Sequence, residues 1–539
     1  MWIKLSLTKQ RENTTLSSTN LGFTIVELLV VIVVIGILAA LVIVSYTGIT
    51  QKAAAAVLQS DLKNASTKLE LVKAETGTYS ADDSSLPKSN STDYQYTVSP
   101  DGSSYSLSAT DGSPIAFHTT SATGGAIVAG VDTDAGHILP GGEVATGWKQ
   151  IGAGYRHTCA ISLDDKAYCW GDNQYKELGN GNNTNSSVPV AVDTTGVLNG
   201  KTVKILAVGP SNTCVIASDD KAYCWGGNYY GTLGDGSSND SNVPVAVSTA
   251  GVLSGKTIKS ITVGSDNACV IASDDKAYCW GGNGYGDLGN NQPNVQSNVP
   301  VAVNTAGVFS GKTIKSIATG NDYHTCAIAS DNLVYCWGYN NAGQLGNNTI
   351  IDSPVAVAVN TAGVFSGKTI KTISVGAGGS TCAIASDNNA YCWGYNGTGR
   401  LGDNTTTDRY VPVAVSTAGV LSGKTVVSIS AGSNHTCAIA SDNQSYCWGW
   451  NSKGQLGNNS TTYSSVPVAV NTTGVLNGKT IQSISAGGSH TCTVVSDNQA
   501  YCWGQNGYND MMDGDVIYGQ LGNNSSDLQS LVPVTVSAL

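Results

Sequence analysis

At 539 residues the chain is too long for one ordinary core, and two or more domains are expected. Charged residues fill only 12% of positions, about half the usual share, while glycine fills 64 of them, a balance compatible with disorder but set against regular apolar and aromatic positions. The net charge of −11, with no basic tail or lysine-rich patch, opposes phosphate backbones and disfavours nucleic acid as a partner.

Residues 1–22 form a polar, net basic leader, with Lys4, Lys9 and Arg11 against Glu12. Its charge is +2, so the chain without it carries −13 (−11 minus +2). Gly22-Phe23-Thr24-Ile25-Val26-Glu27 then opens an apolar run to residue 44 in which only Thr24 and Glu27 are polar. About 20 apolar residues suffice to span a bilayer as a helix. A secretory signal peptide has a shorter apolar core with a small-residue cleavage site behind it. Here the small residue, Gly22, stands in front, so a cut there keeps the helix. Glu27 is the second anomaly, because an acidic side chain at the centre of a membrane helix costs roughly 2.5–3.5 kcal/mol and marks function. It follows Phe23 by four residues, within reach of an amine created there or on a neighbouring subunit.

These residues closely resemble the amino-terminal signature of type IV prepilins and secretion pseudopilins. The resemblance implies cleavage by a prepilin peptidase between Gly22 and Phe23, and N-methylation of Phe23. It also implies a single-pass anchor in the bacterial cytoplasmic membrane before assembly, then packing among other pilin subunits with Glu27 compensating a neighbour's terminal charge. An ordinary signal anchor is the alternative.

Beyond residue 44 the helical pattern continues, with Val57, Leu58, Leu62, Ala65, Leu69 and Val72 expected on one face and Gly77 as the first stop. A helix from 23 to 75 is about 80 Å long at 1.5 Å per residue. Tyr94-Gln95-Tyr96-Thr97-Val98 and Tyr105-Ser106-Leu107-Ser108-Ala109 alternate around Ser99-Pro100-Asp101-Gly102, a hairpin signal. A pilin-like domain of long helix and small β head is therefore assigned to 23–118, with the membrane segment at 23–44. Residues 119–147 turn to Gly, Ala, Thr and Asp and read as a linker, with room for one short strand at Ala126-Ile127-Val128-Ala129.

From Trp148 the sequence repeats, and periodicity outranks local signals. Cys159, Cys214, Cys269, Cys326, Cys382, Cys437 and Cys492 each open a unit of about 55 residues, giving seven copies over 148–539. Each unit holds an apolar alternation and a Tyr-Cys-Trp-Gly segment, and six of the seven hold a Thr-Cys segment and six a Val-Pro-Val run. Four short strands per unit suit an all-β, seven-bladed propeller with one sheet per repeat. Proline in the last run belongs on an edge strand. The pattern resembles the regulator of chromosome condensation repeat family. The match rests on the His-Thr-Cys entry (His157, His324, His435, His490), the Tyr-Cys-Trp-Gly core and the Gly-x-Leu-Gly turn. The first unit departs from that turn, with Lys176 in place of glycine. The resemblance implies the propeller but no shared activity, and nucleotide exchange on a small GTPase does not suit a surface protein.

All 14 cysteines lie in the repeats, as pairs ten residues apart: Cys159 and Cys169, Cys214 and Cys224, Cys269 and Cys279, Cys326 and Cys336, Cys382 and Cys392, Cys437 and Cys447, Cys492 and Cys502. With Ser441-Asp442-Asn443 as a three-residue loop and Asn443 left-handed, Tyr446 faces Ala438 and Cys447 lands opposite Cys437. Such neighbours are close enough to bridge, so seven disulfides within blades are predicted. Zinc needs tighter spacings and a second pair. Buried free thiols are the alternative. Disulfides require an oxidising compartment, which agrees with the prepilin-like anchor.

No catalytic constellation stands out: four of the six histidines repeat at one position, His118 and His137 stand alone, and no nucleophile or phosphate-cradling motif occurs. No enzyme activity, cofactor or metal is expected. Binding is argued from the positions where near-identical units differ. The residue after Trp-Gly runs Asp172, Gly227, Gly282, Tyr339, Tyr395, Trp450 and Gln505, and its three consecutive aromatics (Tyr339, Tyr395, Trp450) suit a protein or glycan interface. Residues ahead of each Thr-Cys also vary (Tyr155-Arg156, Asp266-Asn267, Asp322-Tyr323) and are placed at the same mouth. The seventh unit lengthens the segment from Cys to Leu from nine residues to 19, adding Asn509-Asp510-Met511-Met512-Asp513-Gly514-Asp515. That insertion reads as a surface loop, with a binding finger bearing Met511 and Met512, or a calcium loop of nonstandard spacing, as the alternatives.

The expected function is a minor or tip pilin-like protein presenting the propeller as a binding module for adhesion or protein–protein interaction. The alternatives are a structural pseudopilin of a secretion or DNA-uptake system, or an inhibitor of an extracellular enzyme.

Overall fold

The computed structural model describes residues 57, 60–74, 76–78, 86, 93–98, 105–110, 116–120, 128–129 and 147–539, apart from 321 and 511–513. The leader, Gly22, Phe23, Glu27 and the apolar run to 44 lie outside the described residues, as do Met511 and Met512. The chain divides into two compact units, 1–144 and 145–539.

In the first unit, a helix over 60–74 buries Leu62, Ala65 and Leu69, spaced three and four residues apart on one face. Val57, expected on that face, is 42% exposed. It precedes Leu62 by five residues, which turns it about 140° away round the helix at 3.6 residues per turn. Gly77 takes φ +87°, and its N–H donates to the Lys73 carbonyl at 2.8 Å, a left-handed cap that ends the helix. The expected hairpin forms with Val98 opposite Tyr105. It continues as a four-stranded antiparallel meander, Asp93–Val98, Tyr105–Thr110, Ala116–Thr120 and Val128–Ala129. The sheet thus runs past residue 118 into the Gly/Ala/Thr-rich stretch, where His118 pairs with Val128. Among the described residues no helix is long and apolar enough to cross a membrane.

The second unit is a ring of seven four-stranded antiparallel sheets, one per repeat. Blade 4 is representative, with strands a (Ile314–Thr319), b (His324–Ala329), c (Val334–Gly338) and d (Ser353–Ala358) in spatial order. Strands a line a central channel of about 260 Å³, walled by Ala, Val, Gly, Ser and Thr from all seven blades. Strands b and c are buried throughout, because both their faces pack against neighbouring blades. Strand d is the outer edge and holds a proline, Pro354 in blade 4 and the Val-Pro-Val proline in the other six, whose missing N–H is tolerated there. Strand a of blade 7 (Ile481–Ala486) packs on strand a of blade 1 (Trp148–Ala153), which closes the ring.

The hairpin between strands b and c sets the cysteine register. Asn443 takes φ +57° and donates its N–H to the Ala440 carbonyl at 2.9 Å. Tyr446 then faces Ala438, and Cys447 faces Cys437. The same register holds in every blade, and all 14 cysteines are paired with Cα–Cα separations of 4.0–4.1 Å. In blades 1 to 4 Cys159 is bonded to Cys169, Cys214 to Cys224, Cys269 to Cys279 and Cys326 to Cys336. In blades 5 to 7 Cys382 is bonded to Cys392, Cys437 to Cys447 and Cys492 to Cys502. None is a free thiol, so the alternative of buried free cysteines does not hold. The sulfurs pack between blades, in the core and away from the loops. Cys269 and Cys279 share a core with Leu288, Phe309 and Trp337, so the disulfide of blade 3 supports the indole of blade 4.

Candidate functional site: the loop face of the propeller

Antiparallel strands send the a–b and c–d loops to one end of every blade and the b–c hairpins to the other. The hairpin end is nearly invariant. Six blades repeat a Lys–Asp–Tyr set there, as where Lys312 bonds Asp331 at 2.8 Å and lies 4.5 Å from the Tyr335 ring centre. The loop end carries the differences.

A fixed scaffold holds those differences in place. The glycine after each core Trp turns strand c outward. Gly338 has φ +98°, and the Tyr323 carbonyl crowds the point where a Cβ would sit, so no side chain fits. The next residue donates its backbone N–H to the a–b loop: Tyr339 to Tyr323 O at 2.9 Å, Trp450 to Asn434 O at 2.9 Å, and likewise in every blade. The two variable segments noted in the sequence therefore meet. One position further on, a buried Asn organises the c–d loop. The Asn340 Oδ1 accepts from Leu345 N–H at 2.9 Å, and its Nδ2 donates to the Thr349 and Ile351 carbonyls at 3.0 and 3.1 Å.

The seams between blades repeat as well. Each core Trp donates its indole N–H to the carbonyl of the variable residue in the preceding blade's Gly-x-Leu-Gly turn, as Trp337 does to Asp287 O at 2.9 Å. The entry histidines are fully buried and bond the next blade's threonine, His435 to Thr491 at 2.7 Å and His490 to Thr158 at 2.8 Å. Burial holds them neutral, with pKa values lowered to about 3 for His157, His435 and His490 and about 4 for His324. Blade 3 substitutes Asn267, whose amide reaches Thr325 at 3.3 Å. In blade 2 Asn212 takes the histidine's place while blade 3 has Ala268 at the threonine position, and Asn212 Oδ1 is left without a partner.

Tyr339 is half-buried and packs on Tyr285 of blade 3, with ring centres 4.4 Å apart. Tyr395 is 41% exposed beneath the Arg400 guanidinium, 4.6 Å from its ring centre. Trp450 is 37% exposed, lies parallel to Tyr463 at 5.7 Å and donates its indole N–H to Ser452 Oγ at 2.6 Å. They share one face but make three separate contacts. In the seventh blade the insertion forms a two-stranded arm, Gly507–Asp510 paired with Gly514–Ile517. At its base Tyr508 stacks on Tyr518 at 5.5 Å, and Arg156 of blade 1 lies 4.7 Å from the Tyr518 ring centre. Asp510 and Asp513 add no described side chain, and among the described residues no acidic or His/Cys group is arranged to hold a metal.

Two features of this face escape a reading of one column at a time. Where the residue after Trp-Gly is not aromatic, a tyrosine stands three positions later: Tyr175, Tyr230, Tyr285 and Tyr508. Between them these two columns give every one of the seven blades an aromatic, and the signal lay in comparing two alternating columns. The second feature is the x residue of Gly-x-Leu-Gly, which is Glu177, Thr232, Asp287, Gln344, Arg400, Gln455 and Gln520 in turn, all buried. Burial pushes Glu177 up to about 8 and Asp287 up to about 7, and lowers Arg400 to about 10. Arg400 donates to the Gly378 and Ser433 carbonyls at 2.5 and 2.6 Å and to Asn434 Oδ1 at 2.8 Å, tying two a–b loops together. Asp322 across the seam is raised to about 6 by burial, against the pull of Arg400.

The RCC1-like domain family matches residues 197–539, and regulator of chromosome condensation (RCC1) repeats match 148–177 and 164–216. The chain belongs to the RCC1-like domain family. Residues 17–43 match the prokaryotic N-terminal methylation motif, so the RCC1-like propeller is joined to a pilin-like amino terminus. The propeller is similar to the ultraviolet-B receptor UVR8 of Arabidopsis thaliana, 28% identical over 356 residues, which is 66% of this chain and 76% of that one. It is also similar to the human E3 ubiquitin-protein ligase HERC2, 28% identical over 64% of this chain but only 7% of that protein's length. Among solved structures, human WBSCR16 has the same fold, with a TM-score of 0.58 and 19% identity over 69% of this chain and 95% of that one.

Proposed function

We propose that this pilin-like protein is anchored in the bacterial cytoplasmic membrane by the segment 23–44, processed by a prepilin peptidase between Gly22 and Phe23, and N-methylated at Phe23. It then enters a filament, with Glu27 compensating a neighbouring amino terminus, and carries its RCC1-like propeller outside the cell. The propeller is a binding module for a protein or glycan, not an enzyme, and serves attachment. The bulk of residues 148–539 suits a minor or tip subunit rather than one at every position.

One observation carries this reading. The hairpin end repeats almost unchanged from blade to blade, whereas the loop end varies in its aromatic and buried polar side chains on a shared scaffold. Interfaces anchored by aromatics and arginine on a rigid frame have this composition.

Deleting residues 148–539 from the chromosomal copy tests it. Filaments should persist while attachment is lost. Loss of the filaments themselves would favour the structural pseudopilin, and attachment unchanged would remove the propeller from adhesion.

A further inference from the structure

On the loop face of blade 3, flanked by residues of blades 2 and 4, lies a cavity of about 340 Å³, within the usual range for small-molecule sites. Tyr230, Tyr285 and Tyr323 line it together with Asp266 and Asp287. The rings of Tyr285 and Tyr323 lie 5.3 Å apart, and Tyr339 backs Tyr285 from the next loop. Tyr323 holds a left-handed backbone, φ +52°, which is uncommon for a bulky residue and places its ring in the same wall as Asp266.

Asp287 is 1% exposed. Its Oδ1 accepts the Tyr285 N–H at 3.1 Å, and its Oδ2 has no hydrogen-bond partner. A buried carboxylate oxygen without a donor is costly. Burial and the nearby Asp266 and Asp352 raise its pKa, and burial raises that of Asp266, so the site as it stands is short of positive charge. Tyrosine faces beside carboxylates attract an organic cation both through the ring quadrupole and through charge. A hard metal ion is held chiefly by grouped carboxylates, and among the described residues no three His, Cys, Asp or Glu side chains are grouped to hold one.

We propose that this cavity binds an organic ammonium group, with Tyr285 and Tyr323 against its apolar face and Asp287 as its counter-ion. The assignment rests on reading the loop face as a binding surface and gives that surface a ligand class. The ammonium could belong to a choline-type headgroup or to a lysine side chain, and the test separates the two.

The test is calorimetric titration of the full-length, detergent-solubilised protein with choline chloride and with Nα-acetyl-lysine methylamide, beside glucose and calcium chloride. At least one ammonium ligand should saturate the protein, and glucose and calcium should not. Asp287→Asn and Tyr285→Ala should each weaken binding about tenfold or more, while Lys371→Ala on the hairpin end leaves it within about twofold. Tighter choline binding assigns a headgroup, and tighter lysine binding a protein side chain. No saturation by either below about 10 mM would overturn the proposal, as would equal affinity in D287N, or competition by calcium. Because this assay uses no cells, its failure is separable from failure of the attachment experiment.

Discussion

The indole N–H of Trp170 in blade 1 donates to the carbonyl of Gln520 in blade 7 at 3.0 Å, across 350 residues of chain. The same bond joins Trp337 to Asp287 at 2.9 Å between blades adjacent in sequence. No strand is exchanged at the closing seam, so the ring shuts on side-chain packing and on repeated bonds such as this one and that between His490 and Thr158 at 2.8 Å.

If the seams are equivalent, Trp170→Ala and Trp337→Ala should each cost about 3–5 kcal/mol in urea unfolding, as emptying a buried indole site usually does. A cost under about 1 kcal/mol for Trp170→Ala alone would mean that the ring is open between blades 7 and 1.

Each disulfide closes a short loop, so removing one, by Cys326→Ala together with Cys336→Ala, should lower stability by about 2–3 kcal/mol. Peptide mapping without reduction should return seven pairs, each ten residues apart. Free thiols in most blades would contradict this.

Acid should weaken the propeller through its histidines. Their folded pKa values of about 3–4 lie below the unfolded value of 6.5, so the unfolded chain binds more protons between those limits. This contribution is complete above pH 6.5 and is lost as pH falls. Glu177, Asp287 and Asp322, raised to about 8, 7 and 6, act in the opposite sense as pH rises, so a single-site comparison is needed. His435→Asn, copying Asn267 of blade 3, should reduce the loss between pH 7 and pH 5 by about 2 kcal/mol. An unchanged pH dependence would show that His435 does not stay neutral in the fold.

Lys176 occupies the turn position that is glycine elsewhere and takes φ +69°, in the left-handed region. Lys176→Gly should stabilise by about 0.5–1 kcal/mol, the relief of that conformation less the added freedom of the unfolded chain. Its ammonium contact with the Asp240 carbonyl, 3.1 Å, is the offset to watch, and a net loss of stability would show that this contact outweighs the strain.

The repeat architecture was legible because regular spacing and a period-two register leave little freedom. Once Asn443 is left-handed, Cys447 must face Cys437. The loop face was legible only in part. Tyr339, Tyr395 and Trp450 stood out as a run, but Tyr230 and Tyr285 hold equivalent roles from a different column. Asp287 and Arg400 were hidden because a charged residue between two glycine-framed positions reads as a solvated turn, and only the packing of the neighbouring blade buries it. The arm of blade 7 read as a loop because four-residue strands rich in Gly and Asp carry no strand signal.

The most direct test of the whole account is the intact mass of the protein recovered from sheared filaments, measured without reduction. The account predicts a chain that begins at Phe23, one methyl group heavier than its sequence and lighter by the hydrogens of seven disulfides. A chain that retains the leader from Met1, carries free thiols, or is absent from the filament fraction would contradict it.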